Sequence, residues 1–310
     1  MRAALAFLVA LCALAGCVLA GSGFPTYSNV LSASELGLGT RAIALGEAFV
    51  GLADDQAALA YNPAGLGWFH GSSVILSREQ RELGMSCGDL AAVFGRVGAG
   101  VAYFDFGDVP EADQYGNIVG SFSYRSRVFL VGAGARLADL PALSGMRFAE
   151  SLGFGLVGKY VATDTNKPGT CSGLSVDATA LFRCDTPLSG IPQISRLSFG
   201  GALRNLLATP LAYESGHSEH RQTTADVGMA MEIEDKVRIS LEVTGAPTAH
   251  LGVEWLPVPS LALRFGIKQD GAWIWSIGAG LHIGWLVFDI ATVNHPYLGS
   301  RMRVSLGSSW

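Results

Sequence analysis

Charge is scarce in this chain. Asp, Glu, Lys and Arg make up 15% of its 310 residues, against roughly 25% in an ordinary soluble domain. A basic face is missing too: the formal net charge is −5, whereas a nucleic-acid partner calls for clustered Lys and Arg. Long apolar runs stop early. Past residue 25 no stretch reaches the ~18 uninterrupted apolar residues of a spanning helix. Cysteine is sparse, with only Cys87, Cys171 and Cys184 beyond the first twenty residues. Three thiols allow at most one intramolecular disulfide, so this is no disulfide scaffold. No nucleophile, base and oxyanion pattern is present, so we expect neither an enzyme nor a cofactor.

What is present is apolar and small: 49% hydrophobic residues and 40 glycines. Met1 to Ala20 carries one early Arg2 and then an apolar run, the two regions of a signal peptide. Cleavage after Val18-Leu19-Ala20 fits the small-residue rule. Leu14-Ala15-Gly16-Cys17 also resembles the box that precedes a lipidated cysteine, so lipidation at Cys17 stays open beside simple cleavage.

From about residue 72 the dominant period is two. Val237, Ile239, Leu241 and Val243 alternate with Arg238, Ser240, Glu242 and Thr244. Leu261, Leu263, Phe265 and Ile267 alternate with Ala262, Arg264, Gly266 and Lys268. Alternation puts each parity on one side of a strand. Fourteen such segments are predicted: 72–79, 85–95, 96–106, 124–137, 148–163, 172–184, 195–206, 223–234, 236–245, 248–256, 260–268, 272–284, 285–293 and 301–310. An even number of strands, mostly near 9–11 residues, suits a transmembrane barrel. A soluble sandwich would alternate as well. Tyr103, Trp255, Trp273 and Trp285 near strand ends favour the membrane, as interfacial girdles do. So does a second parity rich in Gly, Ser and both signs of charge, and so do short connections alternating with longer ones at 107–123, 164–171 and 207–222.

The expected fold is therefore all-β, an antiparallel barrel of about fourteen strands in the outer membrane of a double-membraned bacterium. Met302, Val304, Leu306 and Trp310 share one parity of the last strand. This resembles the β-signal read by the outer-membrane assembly machinery, with Val304, Leu306 and Trp310 as its residues. Between Ser32 and Phe69 the alternation is absent. Arg41 to Phe49 reads as a short helix, Asp54 as the cap of another reaching Tyr61, and Asn62-Pro63 as its stop. The predicted layout is a signal peptide over 1–20, a lumenal hatch over 21–70 and the barrel over 71–310.

Leu36-Gly37-Leu38-Gly39-Thr40-Arg41-Ala42, Gly46-Glu47-Ala48-Phe49, Ala53-Asp54-Asp55 and Asn62-Pro63-Ala64-Gly65-Leu66 occur in that order. The set resembles the N-terminal hatch of FadL-type proteins, closest to their PorV/PorQ-like relatives. His250–Trp255, Leu263–Gly266 and Trp275–Gly280 resemble that group's later strands. The resemblance implies a fourteen-stranded barrel closed by a hatch. It also implies passive uptake of hydrophobic molecules, long-chain fatty acids first among them, or, in the PorV-like members, a role in protein secretion. A small general porin is the third reading. This chain is shorter than most transporters of the family, so small extracellular loops are expected.

Expected ligand-lining residues are Ala48, Phe49, Leu52 and Leu59 of the hatch, with Phe104 and Leu130 of the wall. Asp54, Asn62 and Pro63 are candidates for hatch movement. Expected partners are hydrophobic small molecules such as fatty acids, membrane lipid and the assembly machinery. Gly153-Phe-Gly155-Leu-Val-Gly158-Lys159 satisfies GxGxxG, but a phosphate cradle needs a loop opening a helix, and Phe154 and Leu156 continue a strand. His217-Ser-Glu219-His220 reads as a polar loop rather than a metal site. Arg136, Lys159, Asp177, Arg204, Glu232, Glu242, Arg264 and Lys268 fall on the lumenal parity. There they either neutralise one another or receive a carboxylate.

Overall fold

The computed structural model describes residues 37–81, 85–166, 169–185, 193–214, 216, 218–245, 248–297 and 299–310. The expected signal peptide, Cys17, Leu36 and His217 lie outside them. The alternating segments form sixteen strands among the described residues. These are β1 (Ser72–Gln80), β2 (Ser86–Phe94), β3 (Val97–Ala112), β4 (Ile118–Arg136), β5 (Leu152–Thr165), β6 (Cys171–Cys184) and β7 (Ile194–Ala208). After the short β8 (Leu211–Tyr213) and β9 (Ser218–Glu219) come β10 (Thr224–Ile233), β11 (Val237–Val243), β12 (Ala249–Val258) and β13 (Leu261–Gln269). The last three are β14 (Trp273–Ile283), β15 (Leu286–His295) and β16 (Gly299–Ser309). β8 and β9 append to the end of β6. The other fourteen pair antiparallel with their neighbours and close through β1 against β16 and β5 against β6.

The closure leaves no free edge, which is what lets strands span a bilayer. Leu76, Val131, Leu156 and Phe265 point outward and are exposed, while their chain neighbours Ser77, Gly132, Gly155 and Arg264 point into the lumen. Aromatics gather at two heights. Phe129, Tyr160, Trp273 and Trp275 lie toward one end, and Phe94, Trp255, Trp285 and Phe288 toward the other. A continuous apolar exterior between two aromatic belts is a lipid-facing surface. On that ground Leu156→Arg, an outward site midway between the belts, is expected to cost about 2–4 kcal/mol in bilayer unfolding titrations. His282→Arg, lumen-facing and exposed, should cost far less. Equal losses would contradict the facing of the strands.

Three expectations need correction. β3 and β4 outrun their predicted ends and continue past a bulge at Asp105/Asp108 as a two-stranded ribbon. Neighbouring strands stop there, and the hairpin's own pairing sustains it. Phe148 does not start β5. Residues 137–151 instead fold back with a short helix, Arg147–Glu150, in which Ala149 N–H donates to Met146 O and Ser151 N–H to Phe148 O. Nor do short and long connections separate cleanly. The tight turns at 95–96, 234–236, 259–260 and 284–285 share one end of the barrel, which marks it as periplasmic, yet the long connection 137–151 lies there too.

Val304 and Leu306 face outward in β16, and Trp310 is exposed at its end. Trp310 closes the seam by exchanging backbone bonds with Ser72, at 2.8 and 2.9 Å. Gly153 and Gly155 sit inside β5 with Lys159, so no loop-to-helix phosphate cradle exists there.

Candidate functional site

The hatch lies inside the barrel. It holds two short helices, α1 (Thr40–Ala44) and α2 (Ala58–Tyr61), and a 3₁₀ turn, Pro63–Trp68. The helix expected to reach Phe49 stops at Ala44, because Gly46 turns to φ +64 and lays its backbone on Ile267 of the wall. Asp54 caps nothing. α2 begins after Ala57 with no side-chain cap, and Asp54 is drawn to Arg41 instead, at 2.6 Å. Asn62 ends α2 and accepts the Ala64 N–H at 3.2 Å, starting the 3₁₀ turn.

So small a segment has little apolar surface of its own, and the wall secures it by polar contacts on many sides. The Glu242 carboxylate accepts the Phe49 and Val50 N–H groups at 2.8 Å each. Arg204 donates to Ala60 O and Tyr61 O at 2.9 and 2.7 Å. Ser198 Oγ donates to Gly51 O at 2.6 Å, and Asn62 Nδ2 donates to Val50 O and Ala180 O. Apart from the one to Ala180 O, these bonds satisfy hatch backbone groups that burial would otherwise leave unpaired. Lumenal glycines admit the hatch: Pro63 lies against Gly134 and Gly155, Val50 against Gly200, and Leu45 and Gly46 against Gly266. A Cβ at any of these would overlap hatch backbone.

On the periplasmic side of the hatch lies a charged cluster. Arg41 grips Glu254 with two bonds of 2.8 Å and also reaches Asp54 and Asp55. Glu254 accepts in addition from Arg264 at 2.7 Å and Arg238 at 2.8 Å, and Arg264 continues to Asp289. Burial raises the Asp55 carboxyl, and neighbouring Asp54 adds to it; Asp54, equally buried, is held below its usual range by Arg41. Burial would likewise raise Glu47, but the Lys268 ammonium 2.9 Å away overrides it and holds Glu47 at about 2.

The extracellular side differs from wall to wall. Across β2–β6, beside polar side chains such as Asp89, Lys159 and Asp177, the lumenal residues Cys87, Phe104, Val128, Leu130 and Val161 form one buried apolar cluster with Leu38, Leu59 and Leu66 of the hatch. Phe106, Tyr124, Met85 and Tyr213 continue it outward. Phe104, Phe106 and Tyr124 meet edge to face in series, with centroids 5.0 and 5.9 Å apart. The facing wall is ionic. There a small recess is lined by Glu47, Lys268 and Arg301 beside Ile43 and Ile274.

The predicted lining residues thus divide. Leu59, Phe104 and Leu130 join the apolar cluster above the hatch. Phe49 and Leu52 belong to a second cluster inside it with Ala42, Leu45 and Ala57, and Ala48 is buried next to Phe49. Tyr61 touches both clusters. Of the residues proposed for movement, Asp54 is in the ion cluster, while Asn62 and Pro63 pack on β4–β7. The lumenal charges largely neutralise one another, as in Lys159–Asp177–Arg204–Asp226. Arg136 is the exception in place, pairing with Asp139 at the periplasmic turn. Among the described residues no group of three His, Cys, Asp or Glu could hold a metal. Sequence reasoning missed the role of Arg41 and Glu254 and the aromatic series. The same-parity glycines were its available signal.

No protein-family description matches the sequence, and no curated protein does. Solved structures do match the fold. The Ralstonia pickettii toluene transporter TbuX aligns with a TM-score of 0.59 at 13% identity, over 88% of this chain and 98% of its own. The monoaromatic hydrocarbon channel CymD gives 0.55 at 11%, and a Pseudomonas aeruginosa FadL homologue 0.52 at 11%, each over 88% of this chain and 98% of its own. These matches carry the FadL-type part of the resemblance and give no support to special closeness with PorV or PorQ. With its closed wall, lipid-facing exterior and lumenal hatch, the chain is an outer-membrane barrel with the FadL-type fold.

Proposed function

We propose that this protein is a passive outer-membrane channel for hydrophobic molecules, which enter from outside along the β2–β6 wall and come to rest on the hatch. The observation that carries this reading is the apolar series from Tyr124 through Phe106 and Phe104 to Leu59. A general porin needs a polar, water-filled lumen, and here the hatch fills it. A PorV-like secretion role would call for an apolar surface that a folded partner can reach, whereas this one lies inside the barrel.

Compact, uncharged hydrophobes suit the lining best. Lys159 of this wall and Arg204 of the adjoining β7 already pair with Asp177 and Asp226. Edge-to-face rings also offer an aromatic guest the contacts they offer one another. The similar structures described as toluene and monoaromatic hydrocarbon transporters agree with that class.

One observation favours fatty acids as the second reading. Arg221 lies over the lumenal Gly173 at the outer part of the same wall, and its Nε is buried without an acceptor. A carboxylate held there would direct its tail toward Phe104. Binding titrations with toluene and with a long-chain fatty acid separate the two. Phe104→Ala should weaken both ligands, by about 1–3 kcal/mol for the lost apolar contact. Arg221→Gln should leave toluene unchanged. Equal weakening of the acid by Arg221→Gln and Phe104→Ala would promote the second reading, and saturable binding of neither ligand would refute the channel.

A further inference from the structure

Outside the barrel, one patch does not fit the apolar exterior. The cross-strand register runs Val304, Arg78, Gly88, Tyr103, Arg127, Ala162 over β16, β1, β2, β3, β4 and β5, all facing outward. The row immediately toward the membrane centre is wholly apolar or aromatic: Leu306, Leu76, Leu90, Val101, Phe129 and Tyr160. The next row toward the extracellular side places Asp105, Arg125 and Asp164 in register. The arginine row therefore stands where the lipid band meets the outer headgroups.

Its charges do not balance. Arg127 pairs with Asp164 at 3.0 Å and Arg125 with Asp105 at 3.2 Å. Arg78 is exposed and makes no ion pair among the described residues. Three guanidinium groups thus face two carboxylates. An unneutralised cation beside hydrocarbon is costly, and a guanidinium recognises phosphate through paired, charge-assisted bonds. Gly88 lets the Tyr103 ring lean across β2 toward Arg78, since a Cβ there would come within 2.8 Å of that ring. Arg78 and Arg127 are three strand spacings apart, about 14 Å between backbones, and their long side chains can converge over the ring. Beyond Val304 the same register row continues through Ile290, Ala279 and Leu263, with no cation.

We propose that the row Arg78–Gly88–Tyr103–Arg127 binds the phosphate headgroup of an outer-leaflet lipid, whose acyl chains lie along Leu76, Leu90, Val101 and Phe129. The apolar row directly below is what selects a lipid over a free anion.

The test uses the full chain in detergent, with lipid retention read by native mass spectrometry. The probes are bisphosphorylated lipid A, its dephosphorylated form and inorganic phosphate. Wild type should retain the phosphorylated lipid. Arg78→Gln with Arg127→Gln should retain it about tenfold less or worse, the scale of one or two charge-assisted bonds. Arg78→Lys should keep most of it, and heat-modifiable gel mobility verifies that each variant is folded. Three results would overturn the proposal: undiminished retention by the folded double variant, equal retention of the dephosphorylated lipid, or displacement of the lipid by inorganic phosphate.

Discussion

Glu254→Ala is expected to release the hatch, at a cost on the order of 3–5 kcal/mol. Glu254 is 1% exposed and accepts from Arg41, Arg238 and Arg264 at once. Removing it leaves three guanidinium groups facing one another, and only the carboxylates of Asp54, Asp55, Glu232 and Asp289 remain to receive them. Arg41 is the hatch's own member of the cluster, so the strain falls on the attachment of α1 to β12. Ionic conductance across a planar bilayer should rise, and the barrel should unfold at lower urea. Arg41→Ala breaks the same link from the other side. The double variant should cost less than the two single losses together, as coupled neighbours do. Wild-type conductance and stability in Glu254→Ala would show that the cluster does not hold the hatch.

Gly200→Val should have an effect of similar kind, and its chain neighbour supplies the control. Gly200 faces the lumen against Val50 O, Val50 C and the Asn62 amide, whereas nothing lies within 4 Å of a Cβ at Gly201. The overlap at Gly200 is with backbone, which no rotamer change relieves. Overpacking of this sort costs about 1–3 kcal/mol, occasionally more, and the segment around Val50 must leave the wall. Valine also favours strands, so β7 itself should survive. A cysteine at Ala48, buried in the wild type, should become readily alkylated in the Gly200→Val background and stay protected with Gly201→Val. Equal protection in both would mean that the hatch does not dock on these glycines.

The wall was legible in the sequence because a two-residue period is local. Val237 to Thr244 places its apolar parity outward whatever the rest of the chain does. The pattern failed where local pairing outlasted the membrane, as in the ribbon beyond Asp105, and where Phe148 imitated the period inside a turn. The hatch was legible as a segment but not in detail. Asp54 has the sequence context of a helix cap, yet its partner Arg41 is thirteen residues back, and Arg41's main anchor, Glu254, lies on β12. Only closure of the barrel makes those neighbours. The two-sided lumen was hidden for the same reason. Phe104 and Leu130 read as apolar lining residues one at a time, but their gathering with Val128 on one wall follows only from the pairing of β3 with β4, which sets Phe104 opposite Ser126. Glycines such as Gly134, Gly155 and Gly266 were visible as a bias of one parity, and the reason for it is the backbone they admit.

The most direct test of a hydrophobic channel above a closed hatch is photolabelling with a small aryl diazirine, mapped by peptide mass spectrometry. The aromatic series and its position above Leu59 predict adducts at Phe104, Phe106, Tyr124 and Leu130, diminished by excess toluene. Lipid-facing Phe129 and Tyr160 would take label from the detergent phase that toluene does not compete away. Labelling confined to those outward residues, with none in the lumen, would contradict the channel.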